Sequence, residues 1–343
     1  MARKTVRNNI TSPELWDKVS EDNKSLVNDF IEYLKSTGKA ETTVPAYFND
    51  LQIFMIWNLQ FNSNKFFVDL NKRDIMKFQN HMLNTWNLGS NRIRRLKSTL
   101  SSLSNFIESM LDDVYENYRN IINKVPSPVK QEVREKTVLE DEQVDILLNY
   151  LVENKKYQQA CAVALAVSSG VRKSEILRFK VDYFKDENII YNALYKTNEK
   201  IKTKGRGKGK FINKYVIVSK FKPYLDLWMK EREELGIINE ELFVSKNNDG
   251  IWEVMKVSTL DSWAENFCKI LNIDWYWHSN RHYFTTSLCK CNIPSSVIKD
   301  IVGWENIAMV DTYNDTEVDD ELGKYFDADG IKKVEQKSIN DIK

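Results

Sequence analysis

The chain has 343 residues, of which 42% are hydrophobic and 29% charged, and it contains only 11 glycines. Such a length favours two domains, and the composition is typical of a helix-rich globular protein rather than a disordered or fibrous one. No apolar run is long enough to cross a membrane, and the first residues lack the apolar core of a signal peptide. We therefore expect a cytoplasmic protein without a membrane partner.

The net charge of +1 conceals two segments of opposite sign. Residues 199–220 contain eight basic residues and one acid, whereas residues 311–343 contain ten acids and five lysines. The four cysteines form neither a disulfide framework nor the paired spacing of a zinc site. We therefore expect no metal and no cofactor.

The first part of the chain is predicted to be helical. Residues 1–20 are basic at first and then polar, and we expect them to form a flexible arm. Apolar residues at helical spacing then predict four helices. The helices are expected around residues 26–37, from Pro45 onward, at 72–84 and at 90–110. Together they define a helical domain over residues 21–124.

Four basic residues occupy the first two turns of the fourth helix. They are Arg92, Arg94, Arg95 and Lys97. A helix N-terminus is the positive end of the helix dipole and favours acids, so this cluster costs stability unless another interaction favours it. A phosphate backbone would provide that interaction, and a solvated surface is the alternative.

A break in the helical pattern separates two domains. The stretch Val125-Pro126-Ser127-Pro128 and the charged residues that follow it predict a linker over residues 125–137. A second domain is expected at 138–316, followed by a C-terminal segment at 317–343.

The second domain is predicted to combine helices with a small hairpin. Helices are expected at 141–152, 156–169, 221–235 and 258–272. Gly170 suits a left-handed helix stop, which places Arg172 in a tight turn before the next helix. Within residues 188–218, three short strands are expected at 189–191, 200–204 and 211–218, with glycines at 205, 207 and 209 marking a hairpin turn.

The residues from His278 to Tyr313 combine basic groups with a tyrosine. His278 and Arg281 lie at the start of one predicted helix, and Tyr313 lies near the end of another. Gly303 suits a left-handed stop shortly before that last helix.

These residues resemble the motifs of the tyrosine recombinases, also called the phage integrase family. The stretch from Gly170 to Ile176 is similar to the family's first arginine motif, and His278-Ser279-Asn280-Arg281-His282 is similar to its His-x-x-Arg motif. Gly303-Trp304 stands where members carry a glycine followed by His or Trp, and Tyr313 stands where they carry the nucleophile. The order and spacing agree over about 140 residues.

The resemblance implies a mainly α-helical fold with a small antiparallel β-sheet in the catalytic domain. The two domains would form a C-shaped clamp on DNA, with residues 21–124 as a SAM-like core-binding domain. The implied partner is a double-stranded DNA recombination site, on which four copies assemble as a homotetramer, being monomeric or weakly associated without DNA. The segment 317–343 would dock on a neighbouring protomer. The implied location is the nucleoid, in a bacterium, an archaeon or the host of a mobile element.

The resemblance also implies a set of site residues. The catalytic residues would be Tyr313, Arg172, Lys204, His278, Arg281 and Trp304, with Glu175 in support. The family places its lysine on the hairpin, where Lys204 fits the usual Lys-Gly strand end, whereas counting back from Val216–Val218 favours Lys208 or Lys210. Besides the four basic residues of the fourth helix, the DNA contacts would be Arg206, Lys208 and Lys210.

These residue types suit phosphoryl transfer without a metal. A tyrosine hydroxyl attacks the phosphodiester and takes the 3′ phosphate, so that the covalent intermediate conserves the bond energy and strands can be exchanged through a Holliday junction. Two guanidinium groups neutralise the transition state, a lysine protonates the leaving 5′ oxygen, and His278 accepts the tyrosine proton. The indole of Trp304 can only donate a hydrogen bond, and His282 is expected to pack.

Two other functions use the same residues differently. A type IB topoisomerase-like enzyme would cleave one strand without exchanging partners, which the acidic C-terminal segment argues against. A DNA-binding protein without catalysis would not need the full set of Arg172, His278, Arg281 and Tyr313.

Overall fold

The computed structural model describes residues 10–40, 43–129, 137–203, 210–314, 326–327 and 330–331. Contacts between Cα atoms divide the chain into two compact units. We call residues 4–135 the helical unit, and residues 136–204 with 209–343 the mixed unit. No helix in the described part of the chain is long and apolar enough to span a bilayer.

Five α-helices build the described part of the helical unit. They are α1 (Pro13–Asp17), α2 (Glu21–Ser36), α3 (Val44–Phe61), α4 (Lys72–Asn84) and α5 (Ser90–Met110). The start of α4 is fixed by a capping box, in which the Asn71 side chain accepts from the Asp74 amide while the Asp74 carboxylate accepts from the Asn71 amide. The helices surround aromatic rings, such as Phe78 against Trp57 with 4.9 Å between centroids. The four helices expected from apolar spacing are confirmed.

Residues 10–20 belong to this unit. Val19 is 2% exposed, and the Trp16 ring packs edge-on against Phe48 with 5.5 Å between centroids. The expectation that residues 1–20 form a flexible arm is therefore wrong for residues 10–20, because their few apolar side chains suffice to attach them to the core. Residues 1–9 lie outside the described part.

The expected linker also begins later than predicted. Val125 is 7% exposed and packs in the core of the helical unit, and its carbonyl accepts a hydrogen bond from Lys97. The linker therefore starts after Val125, and its residues 130–136 lie outside the described part.

The mixed unit combines helices with short antiparallel strands. Its helices are α6 (Asp141–Glu153), α7 (Tyr157–Ser169), α8 (Lys173–Ile176), α9 (Val218–Glu234), α10 (Val257–Leu271), α11 (Ser279–Lys290), α12 (Ser295–Val302) and α13 (Ala308–Tyr313). Its strands are β1 (Ile189–Ile190), β2 (Leu194–Lys196), β3 (Ile201–Thr203), β4 (Lys210–Ile212), β5 (Tyr215–Ile217), β6 (Val244–Lys246), β7 (Trp252–Val254), β8 (Phe326–Asp327) and β9 (Gly330–Ile331). The expected fold class, mainly α with a small antiparallel sheet, is confirmed.

Helix α7 is the centre of the mixed unit. Every residue from Ala160 to Ser169 is buried, and the helix packs against α6, α9 and α11. A helix that is apolar on all sides must be covered on all sides, which explains its central place. Gly170, with φ +59°, ends it in the left-handed conformation predicted from the sequence.

The region expected to hold three strands contains five among its described residues. Strand order is β1-β2-β5 in one sheet, and β3 pairs with β4 separately. The single strand expected over 211–218 is divided at Asn213, because β4 pairs with β3 whereas β5 pairs with β2. Thr203 pairs with Lys210, and the connecting residues 204–209 lie outside the described part.

Gly170 is expected to tolerate a side chain poorly. Replacement by alanine costs about 1–2 kcal/mol for the left-handed conformation. It costs about 1–3 kcal/mol more for overpacking, because the new Cβ would lie 2.5 Å from the Phe284 ring. Gly236→Ala is the matched control, since Gly236 has φ +66° with open space around it. Urea denaturation of the full chain should show a larger decrease in the free energy of unfolding for Gly170→Ala than for Gly236→Ala. Equal decreases would contradict the prediction.

Candidate active site

Arg172 is placed by the end of α7 and the start of α8. The chain turns at Gly170, and Arg172 is the N-terminal cap residue of α8. Its Nη1 donates to Glu175 Oε1 at 2.8 Å, and its amide donates to Glu175 Oε2 at 3.2 Å. Glu175 is fully buried, whereas the Arg172 side chain is 24% exposed. The carboxylate therefore anchors an arginine that still reaches the surface.

Arg281 is a fully buried arginine on α11. Its Nη1 donates to the Gly170 carbonyl at 2.9 Å and its Nη2 to the Val302 carbonyl at 3.3 Å. Its Nε has no hydrogen-bond partner within the described residues. Burial and the charge of Arg172 lower the pKa of Arg281 to about 10, so its guanidinium remains charged at neutral pH.

His278 and Tyr313 are joined by a hydrogen bond. His278 is the cap residue of α11, Tyr313 is the last residue of α13, and 2.6 Å separates Nε2 from the hydroxyl oxygen. Burial lowers the pKa of His278 to about 4, and the charges of Arg281, His282 and Arg172 act in the same direction. The imidazole is therefore neutral at pH 7. With its proton on Nδ1, it can accept the proton of the tyrosine through Nε2.

Aromatic rings enclose Tyr313 on two sides. The His282 ring stacks on it with 4.4 Å between centroids, and the Trp304 ring lies 4.8 Å away. Thr286 Oγ1 donates to the Tyr313 carbonyl at 3.2 Å. These contacts orient the side chain, and His282 packs as expected from the sequence.

Trp304 carries a second buried donor. It is 4% exposed, its ring lies 4.8 Å from the Arg281 guanidinium carbon, and its Nε1 has no hydrogen-bond partner among the described residues. A buried unpaired N–H is costly unless a ligand completes it. Nε1 of Trp304 and Nε of Arg281 are thus two donors suited to an anion.

The structure describes only one of the hairpin residues that the sequence singles out. Lys204, Arg206 and Lys208 lie outside the described residues, so their expected roles stay predictions. Lys210 is half-buried in β4, paired with Thr203. No group of three or more His, Cys, Asp or Glu side chains suited to a metal ion occurs in the described part of the chain.

Sequence reasoning missed Lys214, which it counted only among the basic residues of its segment. Lys214 is 1% exposed, and its Nζ lies 2.8 Å from Glu175 Oε2. The strand expected over 211–218 carried a signal, because a period of two puts Lys214 on the same face as Val216, and both residues are buried. Burial of the lysine beside an acid could be known only from the fold.

The basic residues of α5 have a different environment from the one expected. Asp50 on α3 is 1% exposed, and it accepts from Arg92 Nη1 at 2.7 Å and from Arg95 Nε at 3.1 Å. The Arg94 side chain is exposed, with Nε donating to the Pro128 carbonyl. A buried carboxylate thus offsets part of the unfavourable placement of these bases at the start of the helix.

Lys97 does not fit the expected contact with DNA. It is 4% exposed, and its Nζ donates to Gln79 Oε1 at 2.9 Å and to the Val125 carbonyl at 2.6 Å. The expectation that it contacts a phosphate is therefore corrected: its ammonium ties α5 to α4 and to the end of the helical unit.

Comparison with known proteins identifies the family. The profile described as "Phage integrase family" matches residues 137–319, and the one described as "Phage integrase, N-terminal SAM-like domain" matches residues 26–117. The chain is 28% identical over 258 residues to an SPbeta prophage-derived recombinase-like protein, YomM, from Bacillus subtilis, covering 74% of this chain and 73% of that protein. It is 22% identical over 302 residues to a tyrosine recombinase from Thermosipho africanus, covering 84% of this chain and 94% of that protein.

Solved structures share the fold. A Tn1549 transposon integrase in complex with circular intermediate DNA matches with a TM-score of 0.65 at 16% identity, over 87% of this chain and 98% of that one. A lambda integrase dimer bound to a COC′ core site matches with a TM-score of 0.61 at 17% identity, over 95% of this chain and 85% of that one. The chain belongs to the phage integrase family, and it is a site-specific tyrosine recombinase, an enzyme that cleaves and rejoins DNA.

Proposed function

We propose that Tyr313 is the nucleophile and that it forms a 3′-phosphotyrosine bond with DNA. The hydroxyl oxygen attacks phosphorus, the bond from phosphorus to the 5′ oxygen breaks, and the tyrosine proton passes to His278 Nε2. The observation that carries this proposal is the 2.6 Å hydrogen bond between Tyr313 and a histidine that burial keeps neutral. In the reverse step, a 5′ hydroxyl of another strand attacks the phosphotyrosine, and exchange proceeds through a Holliday junction.

The two arginines stabilise the charge that develops on the phosphate. Arg172 reaches the surface from its anchor on Glu175, and Arg281 has a buried Nε without a protein partner among the described residues. Together with Trp304 Nε1 they supply donors for the non-bridging oxygens. Each such preorganised donor contributes about 2.7–4 kcal/mol to lowering a barrier.

A lysine on the β3–β4 hairpin supplies the proton for the leaving 5′ oxygen, because an alkoxide leaves poorly. Lys204 is our proposal for this general acid. It directly follows Thr203, the last paired residue of β3.

The partner is a double-stranded DNA recombination site, bound by both units and occupied by a homotetramer when two sites pair. Support comes from the solved relatives, which include an integrase with circular intermediate DNA and a dimer on a core site. Arg92, Arg94 and Arg95 contact backbone phosphates, as do Arg206, Lys208 and Lys210 of the hairpin. A nucleoid location follows from such a substrate. The acidic segment 317–343, which we expect to dock on a neighbouring protomer, lies outside the described residues except for β8 and β9.

Removal of the Tyr313 hydroxyl should abolish covalent complex formation. Tyr313→Phe should still bind DNA but form no adduct on a suicide substrate with a nick beside the scissile phosphate, judged on a denaturing gel. An adduct of the Phe variant would contradict the assignment.

Because His278 and Tyr313 meet within one chain, each protomer should use its own tyrosine. A mixture of Tyr313→Phe with Arg172→Ala should therefore stay inactive, whereas a restored adduct would show that the tyrosine enters a neighbour's site.

His278 should remain neutral to unusually low pH. Its folded pKa of about 4 lies below the ordinary value of about 6.5, so it gains a proton only as the pH falls toward about 4. The chain has three histidines, which makes the imidazole Cε1–H resonances easy to follow by NMR. We expect the His278 resonance, assigned with His278→Gln, to stay constant from pH 8 to about 5.5. A midpoint of about 6.5 would contradict the burial argument.

Salt dependence should separate Arg94 from Lys97. Each phosphate contact contributes about −0.9 to the slope of log affinity against log salt concentration. Arg94→Ala should make the slope shallower by about that amount, because its side chain is exposed and we propose that it contacts a phosphate. Lys97→Met is the control and should leave the slope unchanged, because its ammonium is buried. An equal change in both variants would overturn this division of roles.

A further inference from the structure

Lys214 is a buried charge for which the proposed mechanism has no use. It lies between β4 and β5, is 1% exposed, and forms an ion pair with Glu175 at 2.8 Å. Burial lowers the pKa of Lys214 to about 8, against the opposing effect of the Glu175 carboxylate. A buried ammonium is tolerated only where a partner compensates it, so the contact with Glu175 accounts for its presence.

Glu175 is shared between Lys214 and Arg172. Its Oε2 accepts from Lys214 Nζ and from the Arg172 amide, and its Oε1 accepts from Arg172 Nη1. Burial opposes ionisation of Glu175, but the two cations outweigh it and its pKa lies below the ordinary value. The carboxylate is therefore held ionised in one orientation, and Arg172 contacts it through one terminal nitrogen rather than through both.

The backbone of Lys214 is itself fixed to Thr197, the residue that follows β2. Its amide donates to Thr197 Oγ1 at 2.9 Å, and its carbonyl accepts from the Thr197 amide at 3.0 Å. The adjacent Asn213 Nδ2 donates to the Thr197 carbonyl at 2.6 Å. Lys214 thus connects the base of the β3–β4 hairpin to the carboxylate that holds Arg172.

We propose that Lys214 is a positioning residue for strand cleavage: it holds the Glu175 carboxylate so that Arg172 presents its guanidinium to the scissile phosphate. Lys214 contacts neither DNA nor the reacting atoms. The inference rests on the proposed function, because it concerns the same phosphate. It differs from the roles of the hairpin lysines, since Lys214 has no part in protonating the leaving oxygen.

The first experiment measures cleavage of a nicked suicide substrate by the full chain. Lys214→Met should form the covalent adduct about 10- to 100-fold more slowly with unchanged affinity for DNA, the size of effect expected when a catalytic group is misplaced by about 1 Å. Lys214→Arg should recover part of the rate, because it restores a cation beside Glu175. A wild-type rate for Lys214→Met would overturn the inference.

A double variant tests whether Lys214 acts through Glu175. If it does, Lys214→Met should slow the Glu175→Gln enzyme little further, because coupled residues are not additive. The double variant replaces the buried ion pair by a neutral pair, so it should fold even if Lys214→Met alone is unstable. Thermal unfolding of each variant checks that it is folded. Additive losses would show that Lys214 acts elsewhere and would overturn the inference.

Two modified substrates distinguish positioning from other roles. A methyl group in place of one non-bridging oxygen removes charge that Arg172 would stabilise, so it should reduce the defects of Lys214→Met and Arg172→Ala alike. Sulfur at the 5′ bridging position leaves without a proton, so it should rescue Lys204→Ala and not Lys214→Met. Rescue of Lys214→Met by sulfur would make it the general acid, and relief by neither modification would make its role structural; both results overturn the inference. Absence of any adduct with the unaltered protein would instead contradict the proposed function.

Discussion

The burial of the Arg281 guanidinium is the constraint on which the rest of the active site depends. A charge removed from water needs several acceptors, and here the carbonyls of Gly170 and Val302 provide them. Both lie at C-terminal helix ends, where carbonyls lack intrahelical partners and the helix dipole is negative. One side chain therefore fixes the ends of α7 and α12 relative to α11. Those ends lead directly into the segments that carry Arg172 and Trp304.

The two glycine stops determine which residues follow directly after the ends of α7 and α12. Gly170 and Gly303 both adopt positive φ, which lets the chain leave each helix at once. Arg172 follows two residues after the first stop, and Trp304 directly follows the second. The carbonyls at these ends hold Arg281, and the Trp304 ring after the second stop lies 4.8 Å from the Tyr313 ring. Close packing of Phe284 against Gly170 keeps α11 in register with α7.

Each of the two units uses a buried carboxylate to hold two cations. In the helical unit Asp50 pairs with Arg92 and Arg95, and in the mixed unit Glu175 pairs with Arg172 and Lys214. The carboxylate compensates part of the repulsion between neighbouring basic groups and limits their rotamers. An arginine fixed in this way loses less conformational entropy when it meets a phosphate than a freely rotating one. In the proposed function, this fixation lowers the entropic cost of placing these arginines on phosphates.

Local patterns in the sequence were sufficient to predict the helices and the glycines that end them in the left-handed conformation. The apolar period of α2 to α5 and the glycines at 170 and 303 depend on neighbours within a few residues, so they can be read along the chain. The motifs at His278–Arg281 and at Tyr313 likewise fixed which side chains stand at helix ends. Arg94 and Lys97 illustrate the limit, because three residues on one helix separate an exposed cation from a buried one.

The tertiary structure determines the pairings between residues that are far apart in the chain. Asp50 reaches Arg92 across 42 residues, Lys214 reaches Glu175 across 39, and His278 reaches Tyr313 across 35. The neutral state of His278 also follows from burial and from the nearby arginines rather than from its own position in the sequence. Periodicity reports which face of an element is apolar, whereas the partner that meets a polar group on that face depends on how the elements pack. For that reason the chemistry of the site could be named from the sequence, but its hydrogen bonds and its buried lysine could not.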